Sequence, residues 1–309
     1  SGVRCLERND FALLLGIAAD EVPLECRRIM NQLDFRYQLL VGEERDRLIL
    51  EVLKTLQADL PVSGRNRLAR WEDGWAENLQ AFVSSDYDLQ QLIPGYYRKG
   101  RGVMRLFGKY VLPEDSGFEM NVLAVLIAWL GKTFLREVEH VYEFGCGPAH
   151  NLVALAGLYP EKSYHGLDWA AASQQIIEAI AKFKGINIDG RRFDMFSPDW
   201  SCKLELNSAV VTVGAMEQLG HNFDPFLQYV LNSAPAICIH LEPIYELYDQ
   251  NNLLDYLAAR YSEKRGYLRG YLTALKSLAE AGRIKLLHVQ KNLGSQYHDG
   301  WTTVVWTSC

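Results

Sequence analysis

The chain has 309 residues, 49% of them hydrophobic, which is enough to bury a sizeable core and exceeds one ordinary domain. Its 32 basic and 38 acidic residues give a net charge of −6, which argues against a nucleic-acid substrate held on a broad basic surface. The six cysteines, at 5, 26, 146, 202, 238 and 309, have no C-x-x-C spacing, the pattern of a reduced cytoplasmic protein rather than a disulfide framework or zinc site.

Residues 1–115 read as mostly helical. The apolar run 11–19 is flanked by Asp10, Asp20 and Glu21 with no basic leader, so it reads as a helix and not as a signal peptide. Residues 29–33 suggest a second helix. In 43–56 the apolar positions Leu48, Leu50, Val52, Leu53 and Leu56 form one buried face of a third. Helical spacing resumes over 68–82, where Trp71 and Trp75 read as core residues. Residues 83–115 turn aromatic and glycine-rich, with Tyr96, Tyr97 and Tyr110. A connection of that kind reads as a lid. Its basic cluster Arg98, Lys99 and Arg101 reads as a solvated loop. Ser116 to Glu119 has the spacing of a capping box and opens a helix that runs to Phe134. The longest apolar run, 122–130, is too short to span a bilayer.

The densest signal follows. Residues 141–144 form a short β-prone run that enters a turn at Gly145 and Gly147, then a helix over 151–159. Glycine permits backbone angles that a Cβ forbids and lets a ligand approach the main chain. A second strand, 163–167, ends in Asp168, where a carboxylate can accept both hydroxyls of a ribose. This is the nucleoside-binding half of a doubly wound α/β sheet. A dinucleotide is disfavoured, because His150 stands where the third glycine of G-x-G-x-x-G would be and Glu143 would repel a pyrophosphate. An acid there suits a ligand with a positive centre.

The E-x-G-x-G turn resembles the first motif of class I S-adenosylmethionine-dependent methyltransferases, and the resemblance covers about residues 118–309. Runs 190–196, 210–216 and 235–242 look like that family's third to fifth strands, and 284–289 with 302–306 like its closing antiparallel hairpin. The resemblance implies a doubly wound, mostly parallel seven-stranded sheet over residues 116–309, preceded by a helical cap or lid over 1–115. It implies S-adenosylmethionine as the donor, held by Glu143, Gly145, Cys146, Gly147, Asp168, Trp169, Asp194, Met195 and Gly214, with Tyr110 closing over it. Asp168 matches the ribose acid and Asp194 the acid beside the adenine amine.

Methyl transfer needs the acceptor aligned behind the methyl and, for a hydroxyl, a base. Glu217 and His221 follow the fourth strand, and a histidine has the right pKa for the task. His240 and Glu242 share one face of the fifth strand. These four are the catalytic candidates, and His298 reads as a surface residue. The seven histidines show no metal-ligand spacing, so no metal is expected. The expected function is methylation of a small-molecule hydroxyl or amine, with no nucleic-acid or membrane partner; a homodimer is one open oligomeric state. Two alternatives use the same fold: aminopropyl transfer, and donor binding without catalysis.

Overall fold

The computed structural model describes residues 2–98 and 102–309. The side chain of Arg98, with Lys99 and Arg101, lies outside the described residues, so the basic cluster is not placed. The N-terminal part builds β1 (Arg4–Cys5), α1 (Arg8–Leu15), α2 (Leu24–Gln32), β2 (Arg36–Leu39), α3 (Gly42–Gln57), α4 (Leu68–Ser84), β3 (Met104–Leu106) and β4 (Lys109–Pro113). After α5 (Phe118–Phe134) come β5 (His140–Phe144), α6 (His150–Leu158), β6 (Ser163–Asp168), α7 (Ala171–Lys184), β7 (Ile188–Arg192), β8 (Ser208–Val213), α8 (Asp224–Ser233) and β9 (Ile237–Glu242). The chain ends with α9 (Leu253–Arg265), α10 (Tyr271–Glu280), β10 (Ile284–Ser295) and β11 (Trp301–Ser308).

One sheet of eleven strands runs through the described residues in the order β1-β2-β4-β3-β10-β11-β9-β8-β5-β6-β7. The run β9-β8-β5-β6-β7 is parallel throughout. β11 pairs antiparallel with β9, and β10 with β11. The expected seven strands are therefore extended by four, and residues 1–115 are not simply helical. Strands β1 to β4 are only two to five residues long; β3 and β4 form a tight hairpin across Phe107–Gly108, while β2 pairs across a long separation, such as Tyr37 with Pro113, which no local pattern announces. The join is made by β10, whose last residues Gly294 and Ser295 pair with Arg105 and Met104.

The core crosses from one part to the other. Phe11, Cys26, Phe35 and Phe82 belong to the same hydrophobic cluster as Val125, Trp129, Leu152 and Ile239. Helix α5 is apolar on nearly every side, with ten buried residues, as a helix enclosed between layers must be. No helix among the described residues is long and apolar enough to cross a membrane.

Four local expectations change. The capping box is absent: Gly117 holds the N-cap of α5, and Asp115 accepts from the Gly117 N–H at 2.9 Å and the Asn121 amide at 3.1 Å. The third parallel strand is 188–192 rather than 190–196. The fourth stops at Val213, and Met216–Leu219 is a 3-10 turn. The long helical stretch 251–281 is two helices, because Gly266 and Gly270 take left-handed φ of +63° and +94°.

Candidate functional site

A cavity of about 360 Å³ opens beyond the carboxyl ends of β5, β6 and β8, where ligands bind in open parallel sheets. Its floor is the glycine turn. The Gly145 and Cys146 N–H groups donate to Leu167 O at 2.7 and 3.1 Å, so the turn hangs on the end of β6. Gly145 and Gly147 have φ of +70° and +53°. A Cβ on Gly145 would stand 2.3 Å from the Ala215 Cβ, and one on Gly147 would stand 2.8 Å from the Trp75 ring. Only glycine fits either place.

Asp168 is buried, and its two oxygens accept from the Gly147 and Ala170 N–H groups at 3.0 and 2.9 Å. Each oxygen keeps a lone pair for a ligand. Burial raises its pKa to about 6 against the pull of those N–H groups. Glu143 is 1% exposed and lines the cavity. Its Oε2 accepts from the Asn151 amide at 3.2 Å, while Oε1 has no partner. Burial pushes its pKa up to about 8, and the nearby Asp168 and Glu242 charges add to the rise. A buried carboxylate with a free oxygen facing a cavity suits a cation.

Cys146, Trp169, Met195, Gly214 and Glu217 also line the cavity. Trp169 and Phe196 face each other nearly parallel, with ring centroids 6.0 Å apart. Other expected residues are elsewhere. Asp194 lies past the end of β7, where its carboxylate accepts from the Phe196 N–H at 2.9 Å and pairs with Arg65 at 3.2 Å. It does not line the cavity. Tyr110 is fully buried on β4, with its hydroxyl 3.4 Å from Arg105, so it does not close over the donor site. His221 is exposed and outside the lining, since the chain turns away at Gly220 with φ of +57°.

His240 and Glu242 are fully buried but serve the scaffold. Trp306 Nε1, a donor only, lies 3.0 Å from His240 Nε2, so that nitrogen accepts and the ring proton is on Nδ1, 2.7 Å from Thr212 Oγ1. Burial lowers the His240 pKa to about 3, so the ring stays neutral. Glu242 accepts from the Ala215 and Glu217 N–H groups at 3.0 and 3.1 Å and so shapes the loop after β8. Burial, and secondarily the Glu217 charge, raises its pKa to about 8.

Residues that the sequence reading placed in the core or on the surface complete the walls. Trp71 and Trp75 stack with centroids 5.5 Å apart and cover the glycine turn and Trp169. Helix α4, which carries them, is tied down by Glu72, whose carboxylate accepts from the N–H groups of Ala171 and Ala172 at the start of α7. Their spacing of four was visible; the surface they cover was not. His298 lines the cavity rather than the outer surface, with Nε2 3.9 Å from Glu217 and Nδ1 3.4 Å from Ser295 Oγ. His150, first residue of α6, has no partner on either ring nitrogen, and burial lowers its pKa to about 4. Glu119 and Trp301 are further members, as are Arg67, Arg70, Arg265 and Tyr267.

No protein-family model and no curated protein sequence matches the chain. Solved structures do. The chain resembles the [4+2]-cyclase SpnF with a TM-score of 0.51 and 13% identity, over 81% of this chain and 98% of that one. It is also similar to NcsB1, an O-methyltransferase from neocarzinostatin biosynthesis in complex with S-adenosylmethionine and a naphthoic acid (TM-score 0.40, 12% identity, 62% of this chain and 58% of that one). A third is a SAM-dependent methyltransferase from Aquifex aeolicus (TM-score 0.39, 14% identity, 58% and 86%). With the strand order, the likeness to SpnF shows the class I methyltransferase fold and no more than the fold.

Proposed function

We propose that the chain binds S-adenosylmethionine in this cavity and transfers its methyl group to a small molecule, at oxygen or nitrogen. The observation that carries the reading is the pair of buried acids around the glycine turn. Asp168 offers one lone pair on each oxygen to the ribose hydroxyls, and the free Oε1 of Glu143 faces the donor's positive end. Trp169, Met195 and Phe196 give the adenine apolar contact, and Gly214 leaves room beside the sulfonium. The donor supplies an activated methyl. The chain's part is to bind it, exclude water under α4 and the Tyr96–Tyr97 segment, and align the acceptor.

Glu217 is the one member of the four catalytic candidates that reaches the cavity, and His298 stands beside it. The cyclase SpnF shares the fold, so fold alone does not decide the reaction. The test is transfer of a labelled methyl group from S-adenosylmethionine to a metabolite extract, with S-adenosylhomocysteine measured as co-product. Donor binding without any labelled product would leave a binding protein, and decarboxylated donor consumed in its place would favour aminopropyl transfer.

A further inference from the structure

Besides the residues assigned to the donor, the same cavity is lined by Tyr96, Tyr97, Glu119, Glu217, His298 and Trp301, taken together as its acceptor chamber. Tyr96 and Tyr97 have centroids 4.5 Å apart, and Tyr97 and Trp301 are nearly parallel at 6.3 Å. The Trp301 ring would meet a Cβ on Gly214 at 3.3 Å, so this chamber adjoins the end of β8. Trp301 lies close enough to Glu119 to favour its charged form, against the effect of burial.

Burial raises the Tyr97 pKa, and the nearby Tyr96, Glu119 and Glu217 add to the rise. Burial raises the Glu119 pKa to about 7. The arginines Arg67, Arg70 and Arg265 also line the cavity, and burial, with their mutual repulsion second, lowers the Arg67 pKa. A second sign of a missing ligand is independent of the acids: both ring nitrogens of His150 are buried without hydrogen-bond partners along the cavity wall.

We infer that the acceptor is an amine that enters as its ammonium form, held by the ring faces of Tyr96, Tyr97 and Trp301 and by the carboxylates of Glu119 and Glu217. Aromatic faces attract cations through the ring quadrupole, more strongly where water is excluded. The ammonium gives one proton to Glu119. Its freed lone pair attacks the donor methyl, the carbon–sulfur bond breaks, and its electron pair goes to sulfur. The products are the methylated ammonium, neutral S-adenosylhomocysteine and one proton, returned from Glu119 to solvent. This rests on the donor reading above.

The test uses the full chain saturated with S-adenosylhomocysteine and a matched probe pair: choline, and 3,3-dimethylbutan-1-ol, in which carbon replaces the charged nitrogen. Calorimetry should show choline binding at least tenfold more tightly. Glu119→Gln and Trp301→Leu should each bring the ratio close to one while S-adenosylhomocysteine affinity is kept, which also shows that the variants fold. Equal binding of the two probes, no saturable choline binding, or an unchanged ratio in both variants overturns the amine assignment. So does labelled methyl recovered on a hydroxyl compound. Failure of S-adenosylhomocysteine to bind the unsubstituted chain is a different result and refutes the donor reading instead.

Discussion

Trp75 lies across Gly147, so close that a single added Cβ would stand 2.8 Å from its ring. The contact joins α4 to the glycine turn and leaves the turn no spare volume. Gly147→Ala adds that Cβ at a left-handed φ of +53°, a conformation that disfavours L-residues by roughly 1–2 kcal/mol. The variant should lose at least tenfold in S-adenosylhomocysteine affinity. Trp75→Ala in the same chain removes the clash and not the strain, so it should restore only part of the loss. Full affinity in Gly147→Ala by calorimetry would show that the turn is not the donor's seat.

Of residues 68–115, Arg70, Trp71 and Trp75 on α4 and Pro94, Tyr96 and Tyr97 line the cavity, so the proposed cover over the donor is α4 with the 3-10 turn Gly95–Arg98 rather than the whole of 83–115. Hydrogen exchange should slow over residues 68–84 and 95–97 when S-adenosylhomocysteine binds and stay level over β4. Glu72→Gln weakens the hold of α4 on α7 and should raise exchange in 68–84 without ligand. Equal protection with and without ligand would make α4 a fixed wall.

His221→Ala is expected to leave turnover within about twofold of the unsubstituted chain, because the residue is exposed and off the cavity. Had it been the base, the loss would be about 10²–10⁴-fold. Steady-state rates with the labelled donor check this, and a loss in that range would return His221 to the site.

Donor binding should be coupled to proton release. The Glu143 pKa is raised to about 8 in the ligand-free fold, and a cation beside it favours the charged form. Affinity should therefore rise with pH from about 5 toward 8, by up to tenfold per unit, and level off above. The same raised value makes this group's contribution to ligand-free stability greatest below the ordinary glutamate pKa. That contribution is lost as pH rises through about 8. Titrations at pH 6.5 in two buffers of different ionisation enthalpy read the proton directly; a release of zero would place the donor's charge away from Glu143.

What the sequence disclosed was local. Glu143, Gly145, Gly147 and Asp168 fall within one strand–turn–helix–strand unit, where spacing carries the geometry. Trp75 reaches Gly147 from another part of the chain, and Glu119 joins His298 and Trp301 at the cavity through the order of the strands, which no window of sequence contains. His240 and Glu242 were rightly placed on one face of a strand. That face turned out to meet Thr212, Trp306 and the loop after β8 rather than the cavity. Asp194 stands between Phe193 and Met195, which line the cavity, but its own carboxylate is taken up by the Phe196 N–H and Arg65.

The central claim is that Asp168 and the glycine turn hold the nucleoside of S-adenosylmethionine. Calorimetry with S-adenosylhomocysteine on the unsubstituted chain and on Asp168→Ala tests it most directly. Hydrogen bonds to a charged group contribute on the order of 1.5–3 kcal/mol, so the variant should bind roughly 10- to 150-fold more weakly at one site per chain. Unchanged affinity in Asp168→Ala, or no binding to the unsubstituted chain, would contradict the account.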